Sequence, residues 1–202
     1  MKKTLDCDQQ LYEQYANICG VDEAGRGPLA GPVCAAAVIL PRGIVLDGLN
    51  DSKKLNEKTR ERLYDEIYKV AVSCAVAFAT VEEIDNLNIL NATYLAMNRA
   101  IEGLSVKAKF ALIDGNRSKG IKLKNKTVVA GDGIYACIAA ASVLAKVSRD
   151  RYMKKLSLAY PQYEFHRHKG YPTKLHYDRI REYGMSPVHR RSFLVKFMNN
   201  LP

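Results

Sequence analysis

The chain has 202 residues, of which 48% are hydrophobic and 26% charged, so it is long and apolar enough for one good core. This composition excludes a disordered tail. Lys and Arg outnumber Asp and Glu by 31 to 21, a net charge of +10, which favours a polyanionic partner because basic side chains release counterions from phosphate backbones.

Strand-like and helix-like patterns alternate along the chain. In chain order they predict a strand over 17–21, a strand over 33–40, a helix over 57–69, a strand over 73–81, a helical region over 80–103, strands over 109–114 and 127–130, a helix over 134–159, a helix over 173–183 and a last helix from Ser186. Thr80 and Glu83 have capping-box spacing, which marks a helix start. This order predicts a mixed sheet with helices packed on it, an α/β domain over residues 1–155. Residues 156–202 are too few for their own core, so we expect a small C-terminal helical extension packed on that domain.

The five cysteines are scattered along the chain without a C-x-x-C pair. Their spacing argues against a zinc knuckle or a disulfide framework and favours a reducing compartment. Residues 1–10 lack the apolar core of a signal peptide, and no later run is long and apolar enough to span a bilayer. We therefore expect a cytoplasmic protein that makes no membrane contact.

Acidic residues stand where predicted strands end. Asp22 and Glu23 follow the first strand, and Asp114 closes the fourth. Residues just past the carboxyl ends of strands in an α/β sheet converge on one rim, where ligands usually bind. Asp132, between two glycines before the long helix, either joins this group or caps the helix, a role that suits aspartate.

Four carboxylates without a nearby histidine suit a hard cation such as Mg²⁺ or Mn²⁺ better than zinc. Such an ion assists phosphodiester hydrolysis. A glycosidase also uses paired acids, but on opposite sides of a sugar ring, an arrangement that adjacent Asp22 and Glu23 do not suit. Arg26 lies between Gly25 and Gly27, which let the backbone approach a ligand, and this favours an anionic substrate.

Five blocks of sequence stand out by their composition and order. They are residues 22–33 (DEAGRGPLAGPV), 50–55 (NDSKKL), 114–115 (DG), 138–150 (IAAASVLAKVSRD), and 168–171 (HKGY) taken together with 186–193 (SPVHRRSF). In this order the blocks resemble the ribonuclease HII family over residues 18–193. Five collinear motifs are not expected by chance.

The resemblance implies a ribonuclease H-like fold, a mixed five-stranded sheet flanked by helices, and an endoribonuclease that cleaves the RNA strand of RNA/DNA hybrids. It also implies cleavage 5′ of single ribonucleotides embedded in duplex DNA, leaving a 3′-hydroxyl and a 5′-phosphate. The carboxylates that it implies as catalytic and metal-binding are Asp22, Glu23, Asp114 and Asp132. The implied substrate-binding residues are Gly25, Arg26 and Gly27 for the 2′-hydroxyl, Tyr171 for the following deoxy sugar, and Ser52, Lys53 and Lys146 near the phosphate backbone.

Two segments depart from the family pattern. Ala130 stands where the family usually has a lysine before Gly-Asp, and residues 135–137 (YAC) replace small or serine residues. The missing lysine charge is expected to weaken phosphate binding or alter metal affinity near Asp132. Ribonuclease HIII, a relative, lacks the arginine of the glycine-arginine-glycine triplet, so Arg26 favours the HII type.

Other polar residues have plainer interpretations. We expect Arg149, Asp150 and Arg151 to form an ion-pair cluster on the surface of the long helix. The four histidines match no metal-site spacing, and we expect structural or phosphate-contact roles for them. Residues 119–126 include four lysines and form a basic loop that either follows a phosphate backbone or is a solvated face.

Two other classes of function stay open. A non-catalytic nucleic-acid-binding module explains the charge but not the acids at strand ends, which repel phosphate without a metal. A metal-dependent phosphatase for small molecules needs the acids but neither Tyr171 nor the basic excess. We expect a monomer whose partners are RNA/DNA hybrids and ribonucleotide-containing DNA. Residues 193–202 either contact a replication clamp or simply form the end of a helix.

Overall fold

The computed structural model describes residues 9–49, 52 and 55–199. The strands in this part of the chain are β1 (Ile18–Ala24), β2 (Val33–Ile39), β3 (Ser73–Ala79), β4 (Phe110–Asp114) and β5 (Asn125–Val128). The helices are α1 (Gln9–Gln14), α2 (Glu57–Val70), α3 (Val81–Leu87), α4 (Ile89–Glu102), α5 (Ala136–Ala159), α6 (Phe165–His168), α7 (Lys174–Tyr183) and α8 (Arg191–Met198). Short 3₁₀ turns cover Gly131–Gly133 and Pro161–Tyr163.

The five strands form one sheet in the order β3-β2-β1-β4-β5, with β1 in its centre. β1 pairs antiparallel with β2, and β2 with β3, whereas β1 pairs parallel with β4, and β4 with β5. The prediction of an α/β fold with a mixed five-stranded sheet is confirmed. Because β1 and β4 are parallel neighbours, their carboxyl ends meet at one edge of the sheet.

Helices cover both faces of this sheet. α5 packs on one face, mainly against β1 and β2, and α4 packs on the other, mainly against β2 and β3. Small side chains allow this close packing: residues 34–37 of β2 are one cysteine and three alanines, all fully buried. At Gly20 the α5 backbone touches the strand, because a Cβ there would lie 2.2 Å from the carbonyl carbon of Cys137.

The central strand β1 is longer than predicted. It continues through Asp22 and Glu23, and Asp22 pairs with Ala36 of β2. Both acids therefore lie in the last part of the strand and not in a turn that follows it. Pairing with β2 supplies backbone hydrogen bonds here, and this tertiary contact outweighs the low strand propensity of acidic residues.

The predicted helical region over 80–103 starts as expected but is divided in two. Thr80 and Glu83 make both hydrogen bonds of a capping box at the start of α3. Asn88 then has a φ of 66°, which an α-helix does not accommodate, so α3 ends and α4 begins there. The Asn88 side chain accepts hydrogen bonds from the first N–H groups of α4 and so caps it.

The long helix α5 begins at Ala136, two residues later than predicted, because a 3₁₀ turn precedes it. It runs without interruption to Ala159 and so crosses the predicted domain boundary at residue 155. The division of the chain into residues 1–155 and 156–202 stays a prediction.

Of the two predicted C-terminal helices, one has nearly the predicted bounds and the other begins later than predicted. α7 ends at Tyr183 as predicted and begins one residue later than predicted, because Thr173 is its N-cap. The last helix, α8, begins at Arg191 and not at Ser186. The carboxylate of Asp85, from α3, accepts hydrogen bonds at 3.0 Å from the first two N–H groups of α8, so a residue distant in sequence fixes where this helix starts.

The described cysteines are free thiols, and Cys7 lies outside the described residues. Burial raises the pKa of Cys19 to about 12, so this thiol stays protonated at neutral pH and is not a nucleophile. Within the described ranges, no helix has the length and apolar character needed to cross a membrane.

Three histidines, His168, His176 and His189, are buried side by side near the C-terminus. The Nδ1–H of His176 donates to the carbonyl of Tyr171 at 3.0 Å, so its Nε2 accepts from the Nε2–H of His189 at 3.1 Å. The Nδ1 of His189 accepts from the backbone N–H of Ser186 at 3.0 Å. His176 and His189 are therefore neutral and structural, and burial lowers the pKa of each to about 4.

We expect acid to destabilise the protein through His176 and His189. Each is neutral in the fold but binds a proton in the unfolded chain below its ordinary pKa of 6.5, so its stabilising contribution is lost as pH falls from 6.5 towards 4. The loss is about 3 kcal/mol per histidine at pH 4. Urea unfolding across this range measures it. His189→Gln should remove part of the pH dependence, whereas His166→Gln, at an exposed histidine, should preserve it, and equal slopes in all three proteins would contradict the assignment.

Candidate active site at the carboxyl ends of β1 and β4

Two of the predicted acids lie on neighbouring strands at the same edge of the sheet. Val21 of β1 pairs with Ile113 of β4, and the next residues along the two strands are Asp22 and Asp114. Because the strands are parallel, these residues lie side by side. Asp22 is only 4% exposed. The fold therefore brings Asp22, and with it the adjacent Glu23, next to Asp114.

The negative charge of Asp22 is not balanced by an ion pair with a described residue. Burial, followed by the charges of Glu23 and Asp114, raises the pKa of Asp22 well above its ordinary value. Hydrogen bonds from the Ser142 hydroxyl and from the backbone N–H of Glu23, at 2.7 Å, offset part of that effect. Asp22 forms no salt bridge with any described residue. A bound cation would relieve this repulsion.

The fourth acid, Asp132, is connected to Asp114 through its neighbour in sequence. A carboxylate oxygen of Asp114 accepts a hydrogen bond from the N–H of Gly131 at 2.8 Å, which ties the 3₁₀ turn to the end of β4. Asp132 is the next residue and is 6% exposed. The N-cap of α5 is Tyr135, whose side chain makes no capping hydrogen bond. The interpretation of Asp132 as the cap of the long helix is therefore wrong.

The chemistry of the four acids fits a hard divalent cation. All of them supply oxygen atoms, the donors that Mg²⁺ and Mn²⁺ prefer. As the side chains stand, no three His, Cys, Asp or Glu residues of the described chain are gathered closely enough to hold a metal ion. Carboxylates that repel one another are expected to turn apart unless a cation holds them together. The donor set fits the ion, and the coordination geometry stays a prediction.

The glycine-rich loop leaves β1 directly after the acids. Gly25 has a φ of +96°, which favours glycine. Arg26 exposes 51% of its side chain, and its guanidinium lies 3.3 Å from the carboxylate of Glu23. Gly27 lies beside Tyr171, since a Cβ added at Gly27 would be 3.9 Å from the tyrosine ring. The structure thus brings the glycine-arginine-glycine loop and Tyr171, distant in sequence, to one surface next to the acids.

A buried arginine holds the backbone of residues 25–32, the segment that contains this loop. Arg149 is 1% exposed and donates hydrogen bonds to the carbonyl oxygens of Ala30 at 3.1 Å, Pro32 at 3.0 Å and Lys169 at 3.0 Å. Burial lowers the pKa of its guanidinium. Arg190, 0% exposed, holds other carbonyls of the same loop. Neither arginine was among the candidate site residues, because each occurs in a charged run that is typical of a surface.

The predicted ion-pair cluster of residues 149–151 is wrong. Arg149 faces the interior and binds carbonyl groups. Asp150 instead pairs with Lys146 at 2.8 Å, one helical turn earlier, and Arg151 pairs with Glu61 of α2. Three consecutive residues of a helix point in different directions, so they have different partners.

Replacing Gly25 with alanine should destabilise the loop. A Cβ at Gly25 would lie 1.9 Å from the Nε atom of Arg149, and the positive φ adds backbone strain. We expect the free energy of unfolding to fall by about 2 to 4 kcal/mol. Gly27→Ala is the matched control, since a Cβ there meets only ordinary contact at 3.9 Å. Denaturant unfolding of both variants tests the prediction, and equal stability of the two would contradict it.

The three residues predicted near the phosphate backbone have different surroundings. Ser52 is buried, and its hydroxyl lies 2.8 Å from that of Ser142, which itself bonds Asp22. Lys146 is half-buried and paired with Asp150. Lys53 lies outside the described residues. Ser52 is thus connected to the acids through Ser142, a contact that the sequence alone did not indicate.

Two adjoining pockets lie beside this group of residues. The smaller, a cavity of about 50 Å³, is lined by Glu23, Arg26 and Asp114 together with side chains of α4. A neighbouring groove of about 630 Å³ shares Arg117 with this cavity and is also lined by Lys119. Glu23 and Asp114 therefore lie beside a groove with basic residues in its wall, which suits a phosphate-containing polymer.

Comparison with known proteins identifies the family. Residues 19–196 match the family model described as Ribonuclease HII. The chain is 58% identical over 184 residues to Ribonuclease HII of Dechloromonas aromatica, covering 91% of this chain and 94% of that protein. Its fold is similar to that of ribonuclease H2 from Pyrococcus horikoshii OT3, with a TM-score of 0.72, 27% identity and coverage of 87% of this chain and 93% of the other. It is similar, too, to the structure of the PCNA:RNase HII complex from Archaeoglobus fulgidus, with a TM-score of 0.72, 25% identity and coverage of 86% and 93%. The chain therefore belongs to the ribonuclease HII family and is a ribonuclease H enzyme.

Proposed function

We propose that this ribonuclease H cleaves the RNA strand of RNA/DNA hybrids and cuts 5′ of single ribonucleotides embedded in duplex DNA, leaving a 3′-hydroxyl and a 5′-phosphate. One observation carries the proposal. The buried carboxylate of Asp22 lies near the end of β1 beside Asp114 at the end of β4, whose charge repels it, and the loop of Gly25, Arg26 and Gly27 leaves β1 directly after Asp22 and Glu23. The carboxylates proposed for hydrolysis and the loop proposed to recognise the sugar are therefore adjacent.

The proposed metal ligands are the four acids Asp22, Glu23, Asp114 and Asp132. The unbalanced charge around Asp22 supports this assignment, as does the all-oxygen donor set. When bound, Mg²⁺ or Mn²⁺ withdraws charge from the phosphoryl oxygens and makes water a stronger nucleophile. The hydrogen bonds from Ser142 and from the N–H of Glu23 keep the Asp22 carboxylate oriented.

Substrate selection is proposed to depend on the surface beside the acids. The backbone of Gly25, Arg26 and Gly27 would contact the 2′-hydroxyl, the group by which proteins distinguish RNA from DNA. Tyr171, 39% exposed beside Gly27, would lie against the following deoxy sugar, where a 2′-hydroxyl fits poorly. Ser52, Lys53 and Lys146 are proposed to lie near the phosphate backbone.

Replacing Asp114 with asparagine separates this function from its two alternatives. In the nuclease, the variant should lose cleavage of an RNA/DNA hybrid by about a thousandfold or more, because a metal ligand is lost, yet still bind the hybrid. A non-catalytic binding module has no cleavage to lose. A small-molecule phosphatase would hydrolyse a phosphate monoester with little dependence on salt, whereas hybrid binding should weaken steeply as salt rises.

The assay compares wild type and variant on a hybrid, on single-stranded RNA and on duplex DNA, each with Mg²⁺, with Mn²⁺ and with a chelator. Metal-dependent cleavage of the hybrid alone supports the proposal. Equal cleavage of single-stranded RNA, or cleavage in the presence of chelator, would contradict it.

The remaining proposals concern partners and location. A cytoplasmic location is consistent with the free thiols, which persist in a reducing compartment, and the protein is proposed to be a monomer. A clamp contact is suggested by the similar structure from Archaeoglobus fulgidus, in which RNase HII is in complex with PCNA. Leu194 is buried against Leu29 and Ile180, with Phe197 packed beside them, so this part of α8 contacts the protein itself, as the helix-end interpretation expects.

A further inference from the structure

The guanidinium of Arg190 is placed to hold consecutive peptide groups of the glycine-rich loop. It donates through Nη2 to the carbonyl of Gly25 at 2.6 Å, through Nη1 to that of Arg26 at 2.9 Å and through Nε to that of Gly31 at 2.9 Å. A guanidinium presents its donors in a rigid planar fork, so it fixes several acceptors at once. The direction of these carbonyl groups is therefore set by one side chain.

Arg190 is itself firmly placed. Its backbone N–H donates to the carbonyl of Leu29 at 2.8 Å, and its guanidinium carbon lies 5.1 Å from the centre of the Phe193 ring. Asp85 caps α8 at the residue that follows Arg190. Among the described residues, Arg190 forms no salt bridge, although its side chain is fully buried. Carbonyl groups of the loop therefore provide its hydrogen-bond partners, an unusual arrangement for a buried charge.

Because the peptide group is planar, the hydrogen bonds from Arg190 also fix the direction of two backbone N–H groups. The described chain has no cis peptide bonds, and in a trans peptide the C=O and the N–H of the same planar unit point in opposite directions. The carbonyls of Gly25 and Arg26 point inward to Arg190. The N–H groups of Arg26 and Gly27, which belong to the same two peptide units, therefore point away from Arg190.

We propose that Arg190 is a positioning residue for sugar recognition: by holding the carbonyls of Gly25 and Arg26, it aims the N–H groups of Arg26 and Gly27 at the 2′-hydroxyl oxygen of the ribonucleotide. This inference rests on the proposed function of the loop. Arg190 does not touch the substrate and acts through the backbone. A lysine at this position keeps the charge but cannot bridge several carbonyls in one plane. The N–H groups of Arg26 and Gly27 should then no longer be held in the direction of the 2′-hydroxyl.

The test measures the preference for a ribonucleotide without cleavage. In an Asp114→Asn background, we compare affinity for a DNA duplex with one ribonucleotide and for the same duplex with none, at a temperature where thermal melting shows each protein folded. The background protein should prefer the ribonucleotide duplex by about tenfold or more, the size of a lost hydrogen bond. Arg190→Lys should reduce the ratio to about one, while affinity for the all-DNA duplex changes by less than about threefold.

Arg99→Lys is the matched control, because the Arg99 guanidinium also bridges several acceptors, the carboxylate of Glu83 and the carbonyl of Phe78, but bonds neither Gly25 nor Arg26. It should lower stability and keep the ratio. An unchanged affinity ratio in folded Arg190→Lys would overturn the inference, because Arg190 would then have no effect on recognition. An equal loss of the ratio in both variants would also overturn it, because the effect would then come from lower stability in general. If the background protein itself shows no preference, the proposed role of the loop fails, and the inference fails with it.

Discussion

Asp22→Asn should give a protein that no longer cleaves a hybrid but is more stable than wild type when metal is absent. Asp22 is buried beside Glu23 and Asp114, and its raised pKa shows that its charge is unfavourable in the fold. Asparagine has the same shape and retains an oxygen that accepts from the N–H of Glu23. Removing the charge should therefore raise the free energy of unfolding at neutral pH by about 1 to 3 kcal/mol. Loss of a proposed metal ligand should reduce cleavage by about a thousandfold or more.

Asp85→Asn is the matched control for this prediction. Asp85 is also an aspartate, but its carboxylate accepts hydrogen bonds from the N–H groups at the start of α8 and is favourable there. Its replacement should lower stability. Chemical denaturation of the three proteins in chelator gives the comparison. If Asp22→Asn is destabilised in the same way as Asp85→Asn, the acids are not a site of unbalanced charge.

Gly20→Ala should destabilise the fold severely. A Cβ at Gly20 would lie 2.2 Å from the carbonyl carbon of Cys137 and 2.3 Å from the backbone nitrogen of Ile138. Both atoms belong to the backbone of α5, which cannot move aside as the end of a side chain can. We expect the free energy of unfolding to fall by about 4 kcal/mol or more, a large part of the stability of an ordinary domain.

Gly133→Ala is the control for Gly20, because a Cβ at Gly133 meets no atom within 4 Å. It should change stability by less than about 1 kcal/mol. Thermal melting and denaturant unfolding of both variants measure the difference. A Gly20→Ala protein of normal stability would show that α5 does not press on β1 in solution as it does here.

The sheet and most helices were predictable because their patterns are local. Residues 33–40 form an apolar run bounded by a Pro-Arg-Gly turn, and Thr80 with Glu83 carries its own helix-start signal. Ends that depend on distant residues were not predictable. β1 continues through Asp22 because β2 pairs with it, and α8 starts at Arg191 because Asp85 caps it from another helix.

The candidate site was predictable to the extent that its residues stand at strand ends. Asp22 and Asp114 fall at corresponding places on two parallel strands, so their neighbourhood follows from the sheet. The supporting residues were not predictable. Arg149 and Arg190 occur in charged runs that indicate a surface, and their burial depends on carbonyl groups distant in sequence, those of residues 25–32 and of Lys169.

One measurement tests the central claim, that the nucleic-acid backbone is hydrolysed at the acids, next to the ribose that the adjacent loop recognises. A DNA duplex with a single embedded ribonucleotide is incubated with the enzyme and Mg²⁺, and the products are separated at nucleotide resolution. We expect one cut on the 5′ side of the ribonucleotide, with a 3′-hydroxyl and a 5′-phosphate at the new ends. Cleavage elsewhere, or an intact duplex under conditions in which the same enzyme cuts a continuous RNA/DNA hybrid, would contradict the account.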